Sequence, residues 1–123
     1  MEKIIEYLKG VFFVATTEGD QPRVRPFDSV VAYDGKIYFE TTQNKNVYRQ
    51  LVENPKIEIF CLNESGSLRL TGIARAETDD NKKQEVIKMI GKYMDNPMLA
   101  VFSIGDAEAV ITNTAGETET VRL

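Results

Sequence analysis

The chain has no histidine and a single cysteine, Cys61. Without histidine there is no Ser-His or Cys-His nucleophile pair. Every histidine-based zinc or iron site is removed as well, and one thiol cannot build a cysteine-only metal site. A lone cysteine forms no intramolecular disulfide, which points to a reducing cytoplasm. Long apolar runs are also missing. None approaches the roughly 20 residues of a membrane-spanning helix. The opening "MEKIIEYLKG" interleaves charges with its apolar residues and does not read as a secretion signal. Nor is there a cationic excess: 15 basic residues face 19 acidic ones, a net charge of -4. Proteins that live on duplex phosphate usually present a basic surface, so nucleic acid is disfavoured. An enzyme made from this chain would use carboxylates and lysines for acid-base work, or let a cofactor carry the chemistry.

What is present fits one globular domain over residues 1–123, with 42% hydrophobic and 28% charged residues. Residues 3–9 place Ile4, Ile5 and Leu8 on one helical face, and Gly10 reads as the stop. "VFFVATT" (11–17) is a nearly continuous apolar strand, followed by the turn "EGDQP". "QPRVRPFDSV" opens a strand that runs on to Tyr33. Asp34-Gly35 is a two-residue hairpin signal, and 36–42 is the returning strand. Residues 44–55 read as a helix with Asn44 suited as N-cap, ended by Pro55. Strands follow at 56–62 and 68–78, the first with Ile57, Ile59 and Cys61 on one face. A helix over 79–94 has acids at its start, lysines at its end, and an apolar stripe of Val86, Met89, Ile90 and Tyr93. The strands 108–114 and 117–123, joined by the turn Ala115-Gly116, complete the chain. Seven short strands with helices predict a mainly β, α+β fold. A closed or partly closed antiparallel barrel is the first reading and a two-sheet sandwich the other.

Two stretches carry candidate chemistry. Arg23, Arg25 and Phe27 are spaced by two, so they share one strand face, while Pro26 lacks a backbone donor. An edge strand guarded by proline and solvated arginines would produce the same pattern. The second stretch is "ETTQNKN", at a strand-to-helix junction. Thr41, Thr42, Gln43 and Asn44 supply neutral donors there and Lys45 a charge, which suits a phosphate. A polar cap with a solvated lysine is the bland alternative. The hairpin brings the arginine-bearing end of one strand beside Thr41 and Thr42. Two anion-friendly features side by side favour a phosphorylated ligand. Cys61 reads as a buried structural thiol and Tyr7, Tyr48 and Tyr93 as packing residues. Asp79 and Asp80 lack partners at metal-ligand spacing, so no metal is expected.

The run from "FFVATTEGDQPRVRPF" to "NVYRQLVENPKIEI" resembles the FMN-binding split-barrel proteins, the pyridoxamine 5'-phosphate oxidase-like group, including its small stress-protein and nitroreductase-like members. The likeness spans about residues 4 to 76. It rests on the Arg-x-Arg-Pro strand, the strand ending in Thr-Thr with a lysine soon after, and the Asn-Pro behind the short helix. The resemblance implies a split antiparallel β-barrel of the FMN-binding type, and a cytoplasmic homodimer with FMN in clefts at the subunit interface. Carried over by residue, Arg23, Val24, Arg25, Pro26 and Phe27 would line the isoalloxazine and ribityl chain, with the Arg25 guanidinium offered to the ligand. Glu40, Thr41 and Thr42 would sit at the ribityl-phosphate end, and Lys45 with Asn46 would hold the phosphate. The strand from Ser67 and the segment near Phe102 would close the partner's cleft.

The implied activity is that of a flavoprotein oxidoreductase, passing electrons from a nicotinamide donor to a small-molecule acceptor. No residue is assigned as a catalytic acid or base. Departures from the family's pattern bear on the substrate. Many relatives carry a tryptophan between the positions of Ser67 and Leu68, and this chain has none. The C-terminal arginine and histidine that grip pyridoxamine phosphate are not matched by "ETETVRL". Vitamin B6 oxidation is therefore not expected. Deazaflavin or haem in the same cleft, or a flavin-binding module without turnover, are the alternatives.

Overall fold

The computed structural model describes residues 1–91 and 96–123. Among them run α1 (Glu2–Tyr7), β1 (Phe12–Glu18), β2 (Gln21–Phe27), β3 (Val31–Tyr33), β4 (Lys36–Thr42) and α2 (Asn46–Glu53). Then follow β5 (Lys56–Asn63), β6 (Gly66–Ala76), α3 (Asp80–Ile90), β7 (Leu99–Asn113) and β8 (Thr118–Arg122). Every strand pairing is antiparallel. The sheet runs β2-β1-β5-β6-β7-β4-β3, with β8 added to β7. One continuous path rules out two separate sheets. Its two edges, β2 and β3, are consecutive in the chain and joined by residues 28–30. The sheet therefore curls back on itself and is closed there by covalent continuity, not by a ladder. This is a split antiparallel β-barrel of the α+β class.

Side-chain alternation sorts the wall into two faces. Phe12, Val14, Ile57, Ile59, Cys61, Leu68, Leu70, Ala109 and Ile111 point inward and are buried. Phe39 stacks on Phe102 at 5.5 Å between centroids, and Phe27 meets Phe39 edge-on at 5.7 Å. α1 seals one end with Ile4, Tyr7 and Leu8, and α2 adds Val47 and Leu51 to the same core. α3 covers the other side of β3, β4 and the first half of β7. There Val86 and Ile87 pack with Tyr38, Leu99 and Val101. α3 has a full set of end signals: the Asp79 side chain accepts from the amides of Asn81 and Lys82, and Gly91 is left-handed.

Several boundaries differ from the sequence reading. The expected strand from 21 to 33 is two strands, because Asp28–Val30 leave the ladder after three pairs of the Asp34-Gly35 hairpin, Tyr33 opposite Lys36 to Val31 opposite Tyr38. β7 starts at Leu99, well before residue 108. Leu99–Ile104 is buried on both faces, by the barrel interior and by α3, so it shows no alternation to recognise. Of the expected α3 stripe, Val86 is buried and Ile90 packs partly buried on the same cluster, joined by Ile87; Met89 is half exposed, and Tyr93 lies outside the described residues. Lys45, not Asn44, occupies the N-cap position of α2, with no side-chain cap bond.

A bulge between Thr71 and Ile73 lets β6 pair with both halves of the 15-residue β7. Gly72 is needed there. A Cβ on it would lie 2.5 Å from Ile104 Cγ2 and 2.9 Å from the Gly105 carbonyl oxygen.

Candidate functional site

The gap between β2 and β3 is where the anion-friendly residues meet. One wall of a cleft of about 340 Å³ is Arg25, Pro26, Phe27, Asp28 and Ser29. The other is Glu40, Thr41 and Thr42 at the end of β4, with Lys45 and Val47 from the α2 junction. Seven of the residues singled out in the sequence thus share one cleft: Arg25, Pro26, Phe27, Glu40, Thr41, Thr42 and Lys45. They meet across the split and not through the hairpin ladder.

Three others lie elsewhere. Val24 points from the opposite face of β2 and is 69% exposed. Arg23 shares the inner face with Arg25 but sits nearer the hairpin end. There its Nε and Nη2 donate to Glu18 Oε1 at 3.1 and 2.9 Å. Arg49 Nη2 donates to the other oxygen of Glu18 at 2.6 Å. The two guanidiniums, Arg49 first, hold the Glu18 carboxyl below its ordinary range. Asn46 opens α2, is exposed, and accepts from Arg49 Nη1 at 3.2 Å. Asp28, Ser29 and Val47 belong to the cleft and were not singled out. The Asp28-Ser29 pair, turn-forming residues inside a β-rich run, was the available signal.

The junction loop is firmly held. Gln43 N donates to the Met98 carbonyl at 2.8 Å, Lys45 N to the Thr42 carbonyl at 3.0 Å, and Thr42 Oγ1 to Asn44 Oδ1 at 2.6 Å. Thr41 is 4% exposed, and its Oγ1 is the one buried side-chain polar atom among the described residues without a hydrogen-bond partner. A buried hydroxyl left unpaired is costly, and this one belongs to a residue of the cleft wall. Lys45 is exposed and makes no ion pair among the described residues.

Arg25 is half-buried. Its Nη1 donates to the Val14 carbonyl at 3.1 Å and to Thr16 Oγ1 at 2.8 Å, and its Nη2 donates to Gln50 Oε1 at 2.5 Å. Burial first, then the neighbouring Arg23, lowers its pKa. The prolines are tolerated because β2 is an edge strand, where a missing donor can face off the sheet.

A larger, more open groove of about 680 Å³ lies on the outer face of β1, β5 and β6, among Ala15, Pro22, Glu58, Thr71 and Ile73. No unpaired buried polar atom among the described residues lines it, so it lacks the mark that Thr41 gives the smaller cleft. Phe102, expected near a partner's cleft, is 1% exposed and stacked on Phe39 in its own barrel. Its side chain is not available to a partner. Cys61 is buried, with Sγ 3.1 Å from the Tyr7 carbonyl, and burial pushes its thiol pKa up. No cluster of three or more metal-binding side chains occurs among the described residues. None of the described helices is long and apolar enough to cross a membrane.

Known structures share this architecture. Haem storage protein HutZ from Vibrio cholerae matches with 16% identity and a TM-score of 0.68, over 84% of this chain and 87% of that one. General Stress Protein 26 from Bacillus anthracis str. Sterne matches with 20% identity and a TM-score of 0.72, over 99% and 97% of the two chains. At these identities the likeness is one of fold. A NimC/NimA family protein from Clostridium acetobutylicum is much nearer: 37% identity, a TM-score of 0.91, and 100% of this chain against 92% of that one. No curated protein matches the sequence. The sequence profile described as Pyridoxamine 5'-phosphate oxidase matches residues 2–121. With its split barrel and its full-length match to that profile, the chain belongs to the pyridoxamine 5'-phosphate oxidase-like family.

Proposed function

We propose that this protein is an FMN-binding flavoprotein that acts as a homodimeric oxidoreductase, taking electrons from a nicotinamide donor and passing them to a small-molecule acceptor. The observation that carries the reading is the unpaired, buried Thr41 Oγ1 in a cleft that also holds Lys45 and Arg25. The donor set fits FMN part by part. Lys45 and the Thr41 hydroxyl suit a phosphate. Asp28 and Glu40 suit the hydroxyls of a ribityl chain, which donate. Pro26, Phe27 and Val47 offer apolar surface to a planar ring. The bound flavin would supply the electron transfer, while the chain binds it, orients it and shields it from water.

A homodimer is supported by the outer face of the barrel. Register places Pro22, Val24 and Pro26 beside Phe13 and Ala15, and Phe13 beside Phe60, on one continuous surface. Val24 is 69% and Phe13 46% exposed, as an unpartnered apolar face would be. That face carries the same β2 strand whose inner side lines the cleft, so a second chain there would lie close to the ligand.

Haem is less well served. Among the described residues, none lining the cleft is a histidine, cysteine, methionine or tyrosine, the usual axial ligands of haem iron. A deazaflavin phosphate would meet the same donors as FMN. The deciding experiment is the visible absorption spectrum of the purified protein, then titration with FMN. A two-banded flavin spectrum perturbed on binding, with turnover against a panel of acceptors, is the expected result. A colourless protein that ignores FMN would overturn the proposal. A haem or deazaflavin spectrum would replace the cofactor, and flavin binding without turnover would leave a binding module.

A further inference from the structure

Gln50 is a polar residue inside a helix, 2% exposed, and nothing in the cleft reading requires it. It stands on α2 across the barrel interior from Thr16 and Arg25. Its Oε1 accepts from Thr16 Oγ1 and from Arg25 Nη2, both at 2.5 Å. With two donors facing it, that atom is the amide oxygen. Thr16, 4% exposed, donates to Gln50 and accepts from Arg25 Nη1, so the three side chains close a ring of hydrogen bonds. Every hydrogen-bond partner of the guanidinium among the described residues is neutral: a carbonyl, a hydroxyl and an amide. Arg23, two residues away, is treated differently, since Glu18 compensates its charge.

A half-buried cation held only by neutral acceptors is costly to keep, because its charge is desolvated without a counter-ion. Arg25 also forms part of the cleft wall. We infer that Gln50 is a positioning residue that fixes the Arg25 guanidinium at the cleft through neutral contacts, so that an anionic group of the bound ligand is its counter-ion. The inference rests on the FMN reading above and deepens it. A glutamate at position 50 would give the same shape and hydrogen bonds but would cancel the charge. Neutrality at this position is therefore what the ligand site needs. The anion has two possible sources in FMN, the phosphate or the ring once reduced.

The test compares wild type with Gln50→Glu, using FMN and riboflavin, which lacks the phosphate. Far-ultraviolet circular dichroism checks the fold. If the phosphate is the counter-ion, the ratio of FMN to riboflavin affinity should fall at least tenfold. If the reduced ring is, that ratio should hold while the reduction potential of bound FMN falls, by about 30 mV for each tenfold weakening of the reduced form. Affinity ratio and potential both matching wild type would overturn the inference, as would equal losses for the two flavins at unchanged potential, which mark a purely structural role. If Gln50→Glu does not fold, Gln50→Asn withdraws the acceptor by one carbon and is read in the same way. A wild type that binds neither flavin would remove the FMN reading and this inference with it. Binding with an unaffected variant would remove only the inference.

Discussion

Replacing Lys45 with alanine should weaken FMN binding about tenfold and leave the fold intact. Lys45 sits at the N-cap of α2 in an extended conformation, φ -91° and ψ 151°. Its structural duties belong to its backbone: the amide donates to the Thr42 carbonyl at 3.0 Å and the carbonyl accepts from Tyr48 N at 3.2 Å. Alanine keeps both. The side chain is exposed and makes no ion pair among the described residues, so its removal costs the empty protein little. What is lost is a charge-assisted contact to phosphate, worth about 1.5–3 kcal/mol. Exposure and solvent screening place it near the lower bound, and about 1.4 kcal/mol is tenfold in Kd. The assay is quenching of flavin fluorescence at low ionic strength, with riboflavin as the control that should not respond. The difference between wild type and variant should shrink as salt shortens the screening length, about 10 Å at 0.1 M. An FMN Kd within twofold of wild type at low salt would refute the phosphate assignment.

Three further outcomes follow from the structure. Val24→Asp puts a charge on the exposed outer face and should leave a folded 13.9 kDa monomer, whereas wild type should sediment at twice that mass; a monomeric wild type would remove the dimer. Gly72→Ala forces a methyl against Ile104 and the Gly105 carbonyl and should cost about 1–3 kcal/mol in urea unfolding; an unchanged midpoint would mean the bulge relaxes freely. Burial first, and then its hydrogen bond to Glu77, pushes Tyr38 from 10.0 up to about 12. An unfolded tyrosine ionises near pH 10, so this contribution is whole below that pH and is lost as pH rises towards 12, roughly 2–3 kcal/mol in all. Tyr38→Phe should remove that part of the alkaline loss, read as the difference between the two proteins' unfolding free energies at pH 9 and above pH 11.

The fold was legible wherever one side of an element faces water. β5 alternates because its inner face meets the core and its outer face does not, and Ile57, Ile59 and Cys61 are indeed buried. The Asp34-Gly35 turn was legible because two consecutive positive φ angles, 52° and 75°, favour these residue types. Leu99–Ile104 was not, because α3 and the barrel interior bury both faces and erase the period. Gly91 closes α3 with the same left-handed conformation that marked Gly10, and residues 92–94 of the expected helix lie outside the described residues.

The site was legible as chemistry and illegible as assembly. Residue type and spacing of two marked Arg25 and Phe27, and the strand-to-helix junction marked Thr41, Thr42 and Lys45. Which of these share a cleft depends on where the barrel splits. That break, at Asp28–Val30, is hidden in a run whose Val30, Val31 and Tyr33 read as uninterrupted strand. Arg23 shows the cost of reading by period alone, since two more pairs towards the hairpin hand it to Glu18. Gln50 shows the converse. On its own helix it is an ordinary polar residue, and it becomes informative only when β1 and β2 set Thr16 and Arg25 across from it. The local sequence thus states which groups are available, and the long-range pairing decides which charges are compensated. Among the described residues Arg25 and Lys45, the cations at the split, make no ion pair, while Arg23, at the hairpin end, is paired with Glu18. That asymmetry is what makes the gap between β2 and β3, rather than the larger groove outside, the place to look for an anionic ligand.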